Sequence, residues 1–217
     1  MALIPQIITN YRRHNTTGLQ PAMMVLWALA GLPLGVYNIV GGFNIALQVQ
    51  PQILTSLSLA TWAQCQYYGA GWRARRAASA VAAIGLVMAG VELGLVYALR
   101  KGRGRGKSDP DRVEWPMTLM AALAAALLAA GVLSHYWDIY RTRSVRGISF
   151  LFVGIDALGD LASLLSVCFQ PPPLDVLGLV VYGTELALWI GVMVCGVVFN
   201  LRPWIKSKRK KKGDESQ

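Results

Sequence analysis

The chain has 217 residues, 54% of them apolar and only 15% charged, with a net charge of +10 and a mean hydropathy of +0.43. Soluble domains carry nearer about 25% charge, so the composition argues against a soluble fold and for a bilayer. The basic clusters flank apolar runs and lack any nucleic-acid-binding motif, so no nucleic acid is expected as a partner.

The first apolar run is short. Met1–Ile4 precede Pro5, and the run closes near Tyr11. Eleven residues at about 1.5 Å each cover roughly half a bilayer, so this segment reads as the inner part of a helix whose outer half is lacking. A fragment or a late start codon would explain that. No cleavage site follows a positive segment, so it is not a signal peptide. Six longer spans follow, at 21–42, 45–68, 78–99, 117–140, 149–169 and 176–200. Each is close to the roughly 20 apolar residues a spanning helix needs. The stretches 121–130 and 191–199 are apolar on every face, unlike a surface helix.

Between the spans, the loops at 12–20, 69–77 and 141–147 and the tail from 202 are rich in Arg and Lys, with no acid before Asp214. The loops at 41–48 and 169–175 hold neither Lys nor Arg. The positive-inside rule puts the first group in the cytosol and the second outside or in a lumen. Six full crossings after a short first helix then end in a cytosolic tail. The loop 100–116 alone dissents, with Arg100, Lys101, Arg103, Arg105, Lys107 and Arg112 on the far side.

The chain repeats itself. An ungapped alignment that sets Gly18 on Gly147 also sets Tyr11 on Tyr140, Arg12 on Arg141, and Ala28, Leu29 and Leu32 on Ala157, Leu158 and Leu161. Two like-oriented copies of three helices need one crossing between them, which the fourth helix supplies. The predicted fold is an all-α integral membrane protein of two parallel three-helix repeats joined by a linker helix. The expected segments are a first repeat over 1–69, a linker helix and charged loop over 70–116, a second repeat over 117–201 and a basic tail over 202–217.

Residues 5–19, PQIITNYRRHNTTGL, resemble the motif of the PQ-loop family, which includes cystinosin, the vacuolar and lysosomal cationic amino acid exporters and, more distantly, the SWEET sugar transporters. The second copy is degenerate. Ser134 and His135 stand at the Pro-Gln positions, while Tyr140, Arg141, Gly147, Ile148 and Ser149 fit. The family's Gly-Asp in the second helix of each repeat is matched by Gly159-Asp160, but the first copy has Ala30-Gly31. The resemblance implies a 3+1+3 helix plan, a vacuolar, lysosomal or other endomembrane setting, and a small polar solute bound near mid-membrane between the repeats. An amino acid, cationic or cystine-like, is the leading expectation. A sugar, or a receptor or signalling scaffold of the same architecture, is the alternative.

Several polar residues stand inside the spans. Pro5 lacks an N–H and would kink the first helix. Gln6 beside it must face protein or a water-filled cavity. Pro51-Gln52 repeats those letters without the Arg-Gly continuation, so Pro51 reads as a helix-start proline. Asn38 is a polar residue one turn after Pro33 and is a cavity candidate. Glu92, Asp138, Asp156, Asp160 and Glu185 are acids within or at the ends of spans, where an unpaired carboxylate costs several kcal/mol. Asp156 and Asp160 share one helical face, as do His135 and Asp138, so all four would line one cavity suited to protons. Asp138 pairing with Arg141, and Glu92 bonding to a neighbouring helix, are the structural alternatives. Glu185 stands open between the two readings.

Cys65, Cys168 and Cys195 show no metal or disulfide spacing, and no cofactor is expected. The run KSKRKKK at 206–212 suits anionic lipid or a stop-transfer signal. No Ser-His-Asp, HExxH or paired-carboxylate hydrolase pattern is present, so the chain does not read as an enzyme.

Overall fold

The computed structural model describes residues 3–16, 19–105, 111–143, 150–171 and 173–201. Gly18, the stretch Gly147–Ser149, the middle of the charged loop and the basic tail from 202 lie outside them. The described residues form α1 (Leu3–Arg13), α2 (Pro21–Gly41), α3 (Ile45–Gln64), α4 (Ala74–Arg105), α5 (Asp111–Thr142), α6 (Phe150–Cys168) and α7 (Val176–Gly196), with a wider turn ending α3 at Cys65–Gly69 and α7 at Val197–Leu201.

Local chemistry sets the ends. Pro21 opens α2, where a missing N–H costs nothing. Gly42 closes it at φ 73°, a conformation costly for any residue with a Cβ, and its N–H donates to the Asn38 carbonyl. The Asn44 side chain then accepts from Leu47 N at 3.1 Å and starts α3. Asp175 starts α7 in the same way through Gly178 N.

The two halves pack alike. α3 sits between α1 and α2, and α7 sits between α5 and α6. The halves meet along α2–α5 on one flank and α1–α6 on the other, pairs that the repeat makes equivalent. At the junction Trp27 stacks on Phe152 with ring centroids 6.0 Å apart and meets Trp189 edge-on at 5.8 Å. Gly131 makes room for it, since a Cβ there would lie 2.6 Å from the indole. Lipid is as apolar as leucine, so such shape fit, and hydrogen bonds, hold these helices together more than the hydrophobic effect does. α4 packs on α2 and α3, touches α5 and otherwise faces outward.

Five helices, α2 and α4–α7, are long and apolar enough to cross a membrane. α3 has the length but carries Gln48, Gln50, Gln52, Thr55, Ser56, Ser58 and Thr61. Its position between α1 and α2 lets it hold polar groups against protein. Gln52 Nε2 donates to Glu92 Oε1 on α4, and Thr55 Oγ1 donates to Ala28 O at 3.2 Å.

Two sequence expectations are corrected. The segment 100–116 is not a loop throughout, because α4 continues to Arg105 and α5 begins at Asp111. The end of an apolar run marks the bilayer edge, and a hydrogen-bonded helix continues past it over polar residues. Pro51 is not at a helix start but inside α3, seven residues into it.

The ends of the bundle differ in charge. Arg12, Arg13, Arg73, Arg75, Arg76, Arg141 and Arg143 gather at one end. At the other, Tyr37 OH donates to Asp175 at 2.6 Å, Asn44 Nδ2 donates to Ser166 Oγ at 2.6 Å, and Arg100 Nη2 reaches the Ile39 carbonyl at 3.2 Å.

Candidate functional site

A cavity of about 270 Å³ lies between the halves. One wall is apolar but for Gln50 and comes from Leu3 of α1, Leu34 of α2 and several α3 residues including Ile53 and Leu57. The other carries Asp156 and Asp160 of α6 with Tyr182 and Glu185 of α7. Asp156 and Asp160 are one turn apart on α6, and Tyr182 and Glu185 almost one turn apart on α7, so two packed helices aim four polar groups at one space.

Carboxylate oxygens of Asp156, Asp160 and Glu185 lie within 4.8 Å of one another. Asp160 is 5% exposed and Glu185 8%. Asp160 Oδ2 is buried without a hydrogen-bond partner. No Lys, Arg or His is among the described residues lining the cavity. Two neutral groups from the first half bond to α6 and α7. Gln50 lines the cavity and accepts from Ser163 Oγ of α6 at 3.0 Å. Asn38 Nδ2 donates to Tyr182 OH at 3.0 Å. The acids belong wholly to the second half, since the chain has no Asp or Glu before Glu92. At the matching positions of the first half stand Trp27 and Gly31.

The other candidates lie elsewhere. Gln6 and His135 both border a small space of about 10 Å³ with Met23 and Phe152. The repeat pairs Gln6 with His135 and Met23 with Phe152, so this space straddles the axis relating the halves. His135 Nε2 lies 2.6 Å from Met23 Sδ. Gln6 Nε2 also donates to Asn10 Oδ1 at 2.9 Å, and Asn10 Nδ2 donates to Gln64 Oε1 at 3.1 Å, stitching α1 to α3. Asp138, half-buried, does not line the cavity. His135 and Asp138 are therefore not brought to Asp156 and Asp160, because α7 packs between α5 and α6. Pro5 is the third residue of α1, and the carbonyl four residues before it belongs to Met1, outside the described residues. Its own carbonyl accepts from Thr9 Oγ1 at 2.8 Å.

Sequence reasoning passed over Tyr182, Gln50, Asn10 and Gln64. Tyr182 was signalled by its spacing of three from Glu185. Asn10 and Gln64 meet only through folding.

Comparison with known families matches residues 1–47 and 136–176 to the PQ loop repeat. An uncharacterized protein of Schizosaccharomyces pombe is 41% identical over 199 residues, covering 92% of this chain and 68% of its own length. An uncharacterized membrane protein of Saccharomyces cerevisiae is 34% identical over 192 residues, covering 88% of this chain and 59% of its own. The chain thus spans about two thirds of the first relative and less of the second. No solved structure matches.

Proposed function

Because the chain belongs to the PQ-loop repeat family, we propose that it is a transporter of a small polar solute, an amino acid with a cationic group. The two repeats, over 1–69 and 117–201 with α4 as linker, rock around the cavity, and protons on its acids couple to the movement. The carrying observation is the clustering of Asp156, Asp160 and Glu185 in a cavity between the halves whose opposite wall is mainly apolar. Carboxylates hold an ammonium or guanidinium by charge-assisted hydrogen bonds, and the leucine wall suits an aliphatic stem. A midplane site between like-oriented repeats suits alternating access. Asn38, by holding Tyr182, positions one edge of the site. Pro5, Gln6, His135 and Asp138 belong to the other end, where the helices would part. The setting is an endomembrane of the vacuolar or lysosomal kind, with the Arg-rich end in the cytosol.

The test is uptake of labelled lysine, arginine, cystine and glucose into proteoliposomes under an imposed pH gradient. Gradient-driven uptake of a cationic amino acid is expected. Asp160→Asn should abolish the response to the gradient while substrate exchange persists. No uptake of any of the four by correctly inserted protein would overturn the reading. Full gradient-driven uptake by Asp160→Asn would reduce that carboxyl to a structural role.

A further inference from the structure

We propose that Asp156, Asp160 and Glu185 also form a binding site for a hard divalent cation, calcium in preference to magnesium. Three acids grouped together prove nothing alone, because such groups often share protons. Here a second observation points to a ligand. Asp160 is buried to 5% exposure, its Oδ2 has no hydrogen-bond partner, and that carboxylate faces the shared space. A buried oxygen that no protein donor satisfies costs free energy until something from outside meets it. No Lys, Arg or His is among the described residues that line the cavity.

The donor set selects the ion. Every candidate ligand is oxygen: three carboxylates, the Tyr182 hydroxyl at the same wall and the Gln50 amide. Oxygen-only sites suit calcium, magnesium and manganese, not the softer metals that take sulfur and imidazole. Dehydration then discriminates. Three oxygens within 4.8 Å of one another leave a central point at most about 2.8 Å from each, within reach of metal–oxygen bonds. Calcium accepts several protein carboxylates in flexible geometry, whereas magnesium holds its waters and is seldom bound by an all-protein cage. Asp156, less buried than the other two, leaves room for water to complete the coordination shell.

The ion occupies the place assigned above to the solute's cationic group, so the two compete. The inference rests on the transport reading only in using the same cavity; binding can be measured without transport.

The full chain in phosphatidylcholine nanodiscs is titrated with terbium, a luminescent calcium surrogate. Trp189, one turn after Glu185 on α7, serves as the sensitiser. Calcium and magnesium are then used to displace the terbium. One saturable site per chain is expected, with calcium at least tenfold more effective than magnesium. Asp160→Asn with Glu185→Gln should weaken binding at least tenfold, while Asp138→Asn, outside the cavity, should leave it unchanged. Absence of saturable binding, or binding unaltered by the double variant, overturns the proposal. Should that variant not fold, Asp156→Asn gives the same comparison, and unaltered binding is again fatal. Calcium binding without solute uptake would count against the transport reading alone. Uptake without calcium binding would count against the metal site alone.

Discussion

Asn38 supplies the hydrogen bond that Pro51 denies to α3. A proline has no N–H, so the carbonyl four residues before it, that of Leu47, loses its helical donor. Asn38 Nδ2 of α2 donates to that carbonyl at 2.6 Å and also to Tyr182 OH at 3.0 Å. One buried amide thus repairs one helix and ties it, through α2, to α7 of the other half.

Asn38→Leu should therefore strand two buried oxygens, costing about 1–3 kcal/mol for each. Pro51→Ala returns an N–H to Leu47, so Asn38→Leu should cost less in that background. Thermal unfolding of the four proteins in detergent gives the comparison. Equal losses in both backgrounds would show that the Leu47 carbonyl freed by Pro51 is not what Asn38 serves.

Gly31 lets α3 come close to α2. A Cβ there would meet the Thr55 hydroxyl and lie 2.9 Å from the Pro51 carbonyl. Backbone cannot yield as a side chain can, so Gly31→Ala should cost about 1–3 kcal/mol through overpacking. Gly94 on α4 has open space around its Cβ position. Gly94→Ala should leave the melting temperature unchanged or raise it slightly. A Gly31→Ala protein as stable as the parent would mean that α2 and α3 can separate freely.

Span order, the repeat and the linker were legible in the sequence because bilayer burial demands long apolar runs and a duplicated chain keeps its loop motif. The acid cluster was legible in part. The spacing of Asp156 and Asp160 shows that they share a face, but nothing local shows which helix that face meets. The expectation joined them to His135 and Asp138 by membership of one repeat. Instead α7 intervenes and brings Glu185 and Tyr182. Pairings such as Asn38 with Tyr182, or Gln52 with Glu92, join positions far apart in sequence and depend on packing that periodicity does not encode. Pro51 was misplaced because a proline near the start of a span reads as its opening residue, while the Asn38 side chain that serves the freed Leu47 carbonyl comes from another helix.

Gln6 and His135 stand at the same position of the two repeats and border the same small space. If the halves part at this end during transport, linking the two should stop the cycle. Gln6→Cys with His135→Cys, in a chain whose native Cys65, Cys168 and Cys195 are replaced by serine, should cross-link with a short bifunctional reagent. Uptake should fall at least tenfold and recover when a cleavable linker is cut. Efficient cross-linking with undiminished uptake would show that this end stays closed throughout.

The basic end and the opposite end should face different compartments. Ala70 lies exposed just before α4, and Gly102 lies exposed near its far end. The 32 residues of α4 span about 48 Å at 1.5 Å each, enough to cross a bilayer with headgroups. Pro173, exposed before α7, belongs with Gly102, since Asp175 and Arg100 both bond to the closing turn of α2. The Arg-rich side should be cytosolic, even though Arg100 and Lys101 lie opposite. Single cysteines at 70, 102 and 173, in the cysteine-free chain, are exposed to an impermeant maleimide in sealed vesicles with the cytosolic face outward. Position 70 should label at once, and positions 102 and 173 only after the membrane is opened. Labelling of 70 and 102 from the same side would overturn the crossing by α4. Labelling of 102 and 173 but not 70 would keep the crossing and invert the orientation.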